Sequence, residues 1–300
     1  MQSLQYVLFA TTAACVQLLP LRLVRVFAHA LALFAFHILR VRRGLTITQL
    51  RYAFPEWSDA RVHDTARATY KNLITVILEL MWTPRLTRTP LEHIVRLRNP
   101  EVLRHAVARG RGVVLMSGHF GNWEWLSIGV ARLLDMSFTV IVHPLHNPKV
   151  DVLVERWRTM LGNRIVPMGL SIREIITTLR SRGIVALLAD QSGPSGAIYA
   201  PFFGRPAATY EGPASFALKT GAPIIMGFAV RAEDGMYDVH VEEIPTADLP
   251  DASEDSIRKL TLRHVQALEA EVRKHPEQWL WQHKRWKHTP DADARIATEI

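Results

Sequence analysis

His119 and Glu124 stand five positions apart in Ser117-Gly118-His119-Phe120-Gly121-Asn122-Trp123-Glu124-Trp125. An imidazole beside a carboxylate suits general-base chemistry. The carboxylate fixes one ring nitrogen and stabilises the imidazolium formed when the other takes a proton. On one continuous helix this spacing would set the two side chains about 140° apart. Gly118 and Gly121 permit a tight non-helical path, placing Glu124 in the first turn of a following helix and within reach of the ring. No nucleophile accompanies the pair: there is no Gly-x-Ser-x-Gly elbow, and the single cysteine, Cys15, lies in an apolar N-terminal run. The chemistry left open is deprotonation of an acceptor hydroxyl or amine; the alternative is a loop histidine and a helix-capping glutamate.

A second constellation runs from Asp190-Gln191-Ser192-Gly193-Pro194 to Pro201-Phe202-Phe203-Gly204-Arg205-Pro206. It follows a strand-like run and is expected at the same sheet edge as His119. One reading makes it a substrate loop in which Arg205 holds phosphate or sugar oxygens. The other makes it a Pro/Gly-rich connection whose Phe202 and Phe203 plug the core. His143 and His146 lack a third ligand at metal-binding spacing, which favours a loop role. The tail from His275 to His288 mixes Trp279, Trp281 and Trp286 with positive charge. That mixture suits a membrane interface, or a terminal segment whose tryptophans pack on the sheet. No nucleic-acid module accompanies it.

The elements that must position these residues alternate. Apolar runs Val113 to Met116, Phe138 to Val142, Ile184 to Ala189 and Pro223 to Val230 read as strands, with Arg164 to Pro167 and the alternating Tyr237 to Val241 as further candidates. Between them, helices are signalled from Ser58 to Pro84, from Asn99-Pro100 to Gly110, after Trp123, from Asn147-Pro148 to Gly162, from Ser171 to Gly183, from Pro213 to Gly221, and from Ser256 to Lys274. This pattern predicts an α/β fold, a mixed sheet flanked by helices.

A formal charge of +8 and a pI near 9.9 favour anionic partners: phospholipid headgroups, an acidic carrier protein or nucleic acid. One cysteine excludes an intrachain disulfide and a cysteine-built zinc site. Leu4 to Leu21 is uncharged and just long enough to span a bilayer, whereas Val26 to Leu39, shorter and carrying His29 and His37, suits an interfacial or core-packed helix. Thr12-Ala13-Ala14-Cys15 faintly resembles a lipoprotein cleavage site, but no Lys or Arg precedes the apolar run, so a retained anchor is expected. Arg22, Arg25, Arg40, Arg42 and Arg43 follow it, which places the remaining chain in the cytoplasm. The expected organisation is an anchor and interfacial helix over 1–45, a catalytic domain over 46–290 and a tail over 291–300.

Six blocks in order resemble the late acyltransferases of lipid A biosynthesis, the lauroyl/myristoyl acyltransferase family within the lysophospholipid acyltransferase superfamily. They are Arg51-Tyr52-Ala53-Phe54-Pro55, the His119/Glu124 motif, Asn147-Pro148, Asp190-Gln191, Pro201 to Thr209, and His275 to Trp281. The resemblance implies a glycerol-3-phosphate acyltransferase-like core with an N-terminal membrane-anchoring helix. It also implies transfer of a fatty acyl chain from an acyl carrier protein or coenzyme A thioester to a hydroxyl of a membrane glycolipid, at the cytoplasmic face of the inner membrane, with no metal or organic cofactor. His119 would be the base and Glu124 its orienting carboxylate, with Asn122, His143, Arg164, Asp190, Gln191 and Arg205 binding substrate. Two departures stand out: His143 occupies a place where Arg is frequent ahead of Pro144-Leu145, and Gln49 a place where Asn is usual before Leu50. Acylation of another polar lipid, such as a phosphatidylinositol mannoside or an amino-acid lipid, is the neighbouring alternative. A non-catalytic membrane scaffold is the alternative of a different class.

Overall fold

The computed structural model describes residues 2–169 and 171–288; the expected tail over 291–300 lies outside the described residues. The chain opens with helices α1 (Gln2–Leu18) and α2 (Leu21–Phe34), parted at Pro20, and α2 runs on through a π-helical turn at Ala35–Leu39. Helices α3 (Arg43–Ala53) and α4 (Asp59–Trp82) follow, the latter capped by the Ser58 hydroxyl. Then come β1 (Val95–Leu97), α5 (Pro100–Ala108), β2 (Val113–Ser117), α6 (Trp123–Leu133), β3 (Phe138–Val142), α7 (Pro148–Thr159), β4 (Arg164–Pro167), α8 (Ser171–Arg180) and β5 (Ile184–Leu188). The chain ends with the hairpin β6 (Ile198–Phe202) and β7 (Arg205–Thr209), α9 (Gly212–Thr220), β8 (Ile224–Arg231), β9 (Tyr237–Glu243) and α10 (Glu254–Lys274).

Seven strands form one sheet in the order β1-β9-β8-β2-β5-β3-β4. β8, β2, β5, β3 and β4 are mutually parallel, while β9 turns back antiparallel to β8 and carries β1 beside it. β2 is central and buried along its whole length, which is why it reads as an unbroken apolar run. Val114 and Met116 face a core shared with α8, α9 and α10, whereas Val113 and Leu115 face one shared with α5, α6 and α7. The long α4 reaches both, through Val62 to Tyr70 at one end and Leu78 to Trp82 at the other. Parallel strands in this arrangement deliver their C-terminal loops to one edge, where ligands meet open α/β sheets.

The N-terminus departs from expectation. α1 stops at Leu18 and lies on the domain: Phe9 stacks on Trp157, Gln17 donates to the Met81 carbonyl, and Asn147 donates to the Gln2 carbonyl. Among the described residues, the helix long and apolar enough to cross a membrane is Leu21–Leu39, not Leu4 to Leu21. Pro20 breaks the first run, and Arg25, which read as the end of an apolar segment, is turned inward onto Glu79 and so interrupts nothing. Val24, Ala28 and Ala32 bury one side of α2 against α4, leaving Leu23, Phe27, Leu31, Phe34 and Ile38 exposed on the other.

Of the two readings of the tail, the structure bears out the packed one: it is a buried strap. Trp279 and Trp281 are 1% and 0% exposed, and Arg285 is buried beside them. Gln49 holds the strap, donating to the carbonyls of Trp281 and His283 and accepting from the Arg285 amide, so its departure from Asn adds reach where reach is used. The strap in turn binds the His119 loop: the Gly121 amide donates to the Gln278 carbonyl, the Leu280 amide donates to the His119 carbonyl, and Phe120 forms a bridge with Trp279. Gly121 has φ +55°, and a Cβ there would sit 1.7 Å from the Ala229 carbonyl oxygen. Gly204, also left-handed at φ +70°, faces open space. Gly121→Ala is therefore expected to cost more than ~3 kcal/mol, and Gly204→Ala about 1 kcal/mol; denaturant unfolding of the two variants measures the difference.

Candidate active site

His119 follows β2 and Asp190 follows β5, the strand paired to it in register from Val113↔Ile184 to Ser117↔Leu188. The pairing fixes both loops at one height on the C-terminal edge. There the Asp190 carboxylate accepts from His119 Nδ1 at 2.8 Å, from the His119 amide at 2.7 Å and from Trp279 Nε1 at 2.9 Å. An ionised carboxylate only accepts, so Nδ1 must carry a proton and Nε2 is left as the free, basic nitrogen. Asp190 is 3% exposed and His119 21%, so the carboxylate is sealed while the ring edge is reachable.

Burial opposes both charged forms, and the pair's mutual attraction outweighs it. Burial pushes the Asp190 carboxyl up, but the His119 charge and the bonds from His119 and Trp279 hold it down at about 2. Burial likewise pushes the His119 imidazole down. The charge and hydrogen bond of Asp190, with a smaller contribution from Glu124, hold it above its ordinary value. Gly118 makes the approach possible, since a Cβ there would meet Leu268 at 2.9 Å and the Asp190 carboxylate at 3.1 Å.

Glu124 is where the sequence places it, in the first turn of α6, but it does not take the imidazole. Arg158 of α7 grips it in two parallel bonds, Nε to Oε2 at 2.8 Å and Nη2 to Oε1 at 2.6 Å. The guanidinium fork matches the carboxylate and leaves it no reason to turn toward the ring. Both partners are nearly buried. Glu124 makes no hydrogen bond to His119; its charge adds only the smaller upward contribution to the imidazole pKa.

Of the residues expected to bind substrate, the structure brings Asp190 to His119 and keeps Gln191 adjacent, its carbonyl accepting from Arg285. Asn122 is wholly buried and caps α6, its Oδ1 accepting from the Trp125 amide while Nδ2 donates to Glu79. His143 is at the same edge after β3, exposed, with Nδ1 donating to the Pro144 carbonyl. Arg164 is not brought in: it starts the far edge strand β4, three strand positions from β2, and pairs with Glu174. Arg205 lies exposed over the Tyr52 ring at 4.0 Å, while Phe202 and Phe203 plug the core. No group of three or more metal-ligating side chains occurs among the described residues.

Three neighbours of the site, Arg158, His283 and Glu79, were not singled out beforehand. Arg158 shares the inner face of α7 with Val154 and Trp157, a spacing that sets it inward. His283 comes from the strap and accepts at Nε2 from the Ser192 amide, tying down the loop that carries Asp190. Glu79 lies in the last turn of α4, far in sequence from any motif. Trp279 was named in the tail, where both a membrane interface and packing on the sheet were open, but its bond to Asp190 was not foreseen.

Comparison with known proteins bears on the family. The model of the bacterial lipid A biosynthesis acyltransferase family matches residues 1–288. A lipid A biosynthesis acyltransferase of Haemophilus influenzae is 24% identical over 265 residues, 87% of this chain and 81% of the relative. The lipid A biosynthesis lauroyltransferase of Escherichia coli is 26% identical over 265 residues, 86% and 83% of the two chains. A phosphatidylinositol mannoside acyltransferase of Mycobacterium tuberculosis is 30% identical over a shorter stretch of 127 residues, 40% of this chain and 39% of that one. With a family match over nearly the whole chain and an ordered imidazole at the sheet edge, this protein belongs to the bacterial lipid A biosynthesis acyltransferases.

Proposed function

We propose that this acyltransferase moves a fatty acyl chain from a thioester to a hydroxyl of a lipid A precursor, with His119 as general base and Asp190 as the carboxylate that orients it. The observation that carries this reading is the 2.8 Å bond from His119 Nδ1 to the buried Asp190, within a family whose relatives are named for lipid A acylation. Nε2 takes the proton of the acceptor hydroxyl as its oxygen attacks the thioester carbonyl carbon. The tetrahedral intermediate then expels the thiolate, and the imidazolium returns the proton to sulfur. The positive end of α6 beside the loop favours the developing oxyanion. Glu124 and Arg158 lock α6 to α7 behind this site. We assign the core to the glycerol-3-phosphate acyltransferase-like type on the strength of the mixed seven-stranded sheet flanked by helices.

The donor proposed is an acyl carrier protein thioester, in keeping with an acidic carrier meeting a chain of charge +8; coenzyme A supplies the same chemistry. The exposed apolar side of α2 and the arginines at 40, 42 and 43 support association with an anionic bilayer, which we assign to the cytoplasmic face of the inner membrane. The partial match to phosphatidylinositol mannoside acyltransferases supports a second acceptor class. Mass spectrometry of membrane lipids with and without the gene separates them: lipid A lacking one acyl chain supports the first reading, an underacylated inositol mannoside the second, and unchanged lipids defeat both.

Three outcomes follow from the site. His119→Ala is expected to lower kcat about 10³-fold at unchanged fold, as loss of a general base does. In Asp190→Asn the imidazolium loses its counter-charge, so the His119 pKa falls and the acid limb of the kcat/KM profile moves to lower pH while the plateau drops by at least ~10²-fold. An acid limb that stays in place would show that Asp190 does not govern the base. For Glu124→Ala, a buried Arg158 is left unpaired, at a cost of roughly 3 kcal/mol or more; the double variant Glu124→Met with Arg158→Met should recover most of that in thermal unfolding.

A further inference from the structure

We propose that Glu79 is a positioning residue for the His119 loop and that Arg25, on the apolar helix α2, is the cation that holds it in that role; the inference rests on the acyl-transfer reading above. Glu79 is 0% exposed in the last turn of α4. Its Oε2 accepts from Asn122 Nδ2 at 2.7 Å and from the Tyr237 hydroxyl, and its Oε1 accepts from Arg25 Nε at 2.7 Å. Arg231 Nη2 stands 3.6 Å from Oε2. Four groups from α2, α6, β8 and β9 thus converge on one carboxylate.

The consequence for the loop runs through Asn122. Its amide has one orientation compatible with both neighbours: Nδ2 to Glu79, and Oδ1 to the Trp125 amide at 2.8 Å, the cap of α6. Reversed, it would set oxygen against carboxylate and an amino group against an N–H, losing both bonds. Glu79, as an acceptor only, forbids the reversal. The cap then fixes where the segment from Gly118 enters the helix, and His119 lies three residues upstream of it.

A carboxylate this buried calls for cations beside it. Arg25 is one of them, and it comes from the helix whose outward face carries Leu23, Phe27, Leu31 and Phe34. That helix is therefore joined to the catalytic loop through two side chains, Glu79 and Asn122. Burial pushes the Tyr237 phenol well above its ordinary value, so it remains a protonated donor to Glu79. Arg25 differs in this from Arg67, which sits exposed on α4 with Asp64 as its partner.

The test uses the full chain in detergent, with lauroyl-acyl carrier protein as donor and lipid A lacking its secondary acyl chains as acceptor, and kcat expressed per folded protein by circular dichroism. Arg25→Gln and Glu79→Gln are expected to lower kcat about tenfold with KM within twofold of the parent. Arg25→Lys, which keeps the charge, should return to within about threefold, and Arg67→Gln should match the parent. Asn122→Asp places a second carboxylate against Glu79 and should be worse than either, yet in the Glu79→Gln background the new amide can donate to Asp, and kcat should rise again by about tenfold. If Asn122→Asp is equally harmful in both backgrounds, or Arg25→Gln keeps full kcat, the positioning role is wrong. A parent enzyme that transfers no acyl chain defeats the acyl-transfer reading instead.

Discussion

The Asp190 carboxylate is the constraint on which the site depends. It is sealed from water and accepts three hydrogen bonds, two from His119 and one from Trp279. Because the His119 amide and imidazole bind the same group, the position of the backbone and the orientation of the ring are set together. The ring cannot rotate without losing its bond to Oδ1 of the same carboxylate whose Oδ2 holds the chain. A carboxylate in this setting is expensive to bury, and the three donors it accepts from, with the His119 charge beside it, favour its ionised form.

The rest of the fold supplies the two ends of that interaction. Parallel pairing of β2 with β5 brings Ser117 level with Leu188, so the residues just past them meet without distortion of either strand. The strap after α10 closes the arrangement from outside the sheet. It donates through Trp279 to Asp190 and hydrogen-bonds the His119 loop through Gln278 and Leu280; α3 and α4 hold it in turn through Gln49, Asn72 and Thr69. Two segments about 160 residues apart are thereby made rigid against each other. Rigidity at this place matters because a base misplaced by an ångström loses much of its effect.

Much of this was legible in the sequence. The strand runs and the proline, glycine and serine punctuation gave the central strands and most helices to within a residue or two, because buried parallel strands are continuously apolar and helix ends need caps. The shared edge for His119 and Asp190 followed from both lying just after such strands. What the sequence did not reveal was the partner choice. Two carboxylates were available to His119, and local spacing favoured Glu124, but the outcome was decided by Arg158, a residue whose inward direction depends on how α7 packs. The β6–β7 hairpin was read as a loop because Pro201, Gly204 and Pro206 disguise its five-residue register. For Trp279, Trp281 and Arg285 the sequence left an interfacial segment and a buried strap both open, because that composition describes the two equally well.

Three buried carboxylates surround the seven residues from Gly118 to Glu124, and each answers to a different donor set. Asp190 takes the imidazole, Glu79 takes Asn122 with Arg25 and Tyr237, and Glu124 takes Arg158. Buried ion pairs contribute little net stability compared with well-packed apolar groups, because desolvation offsets attraction. Their use here is therefore better explained by orientation than by strength. A side chain that only accepts removes ambiguity from a partner that can both donate and accept, as the histidine ring and the asparagine amide can. The loop carries one of each, and each has its own carboxylate. An apolar core around the same loop could have made it as stable, but it would have left the tautomer of His119 and the rotamer of Asn122 unspecified.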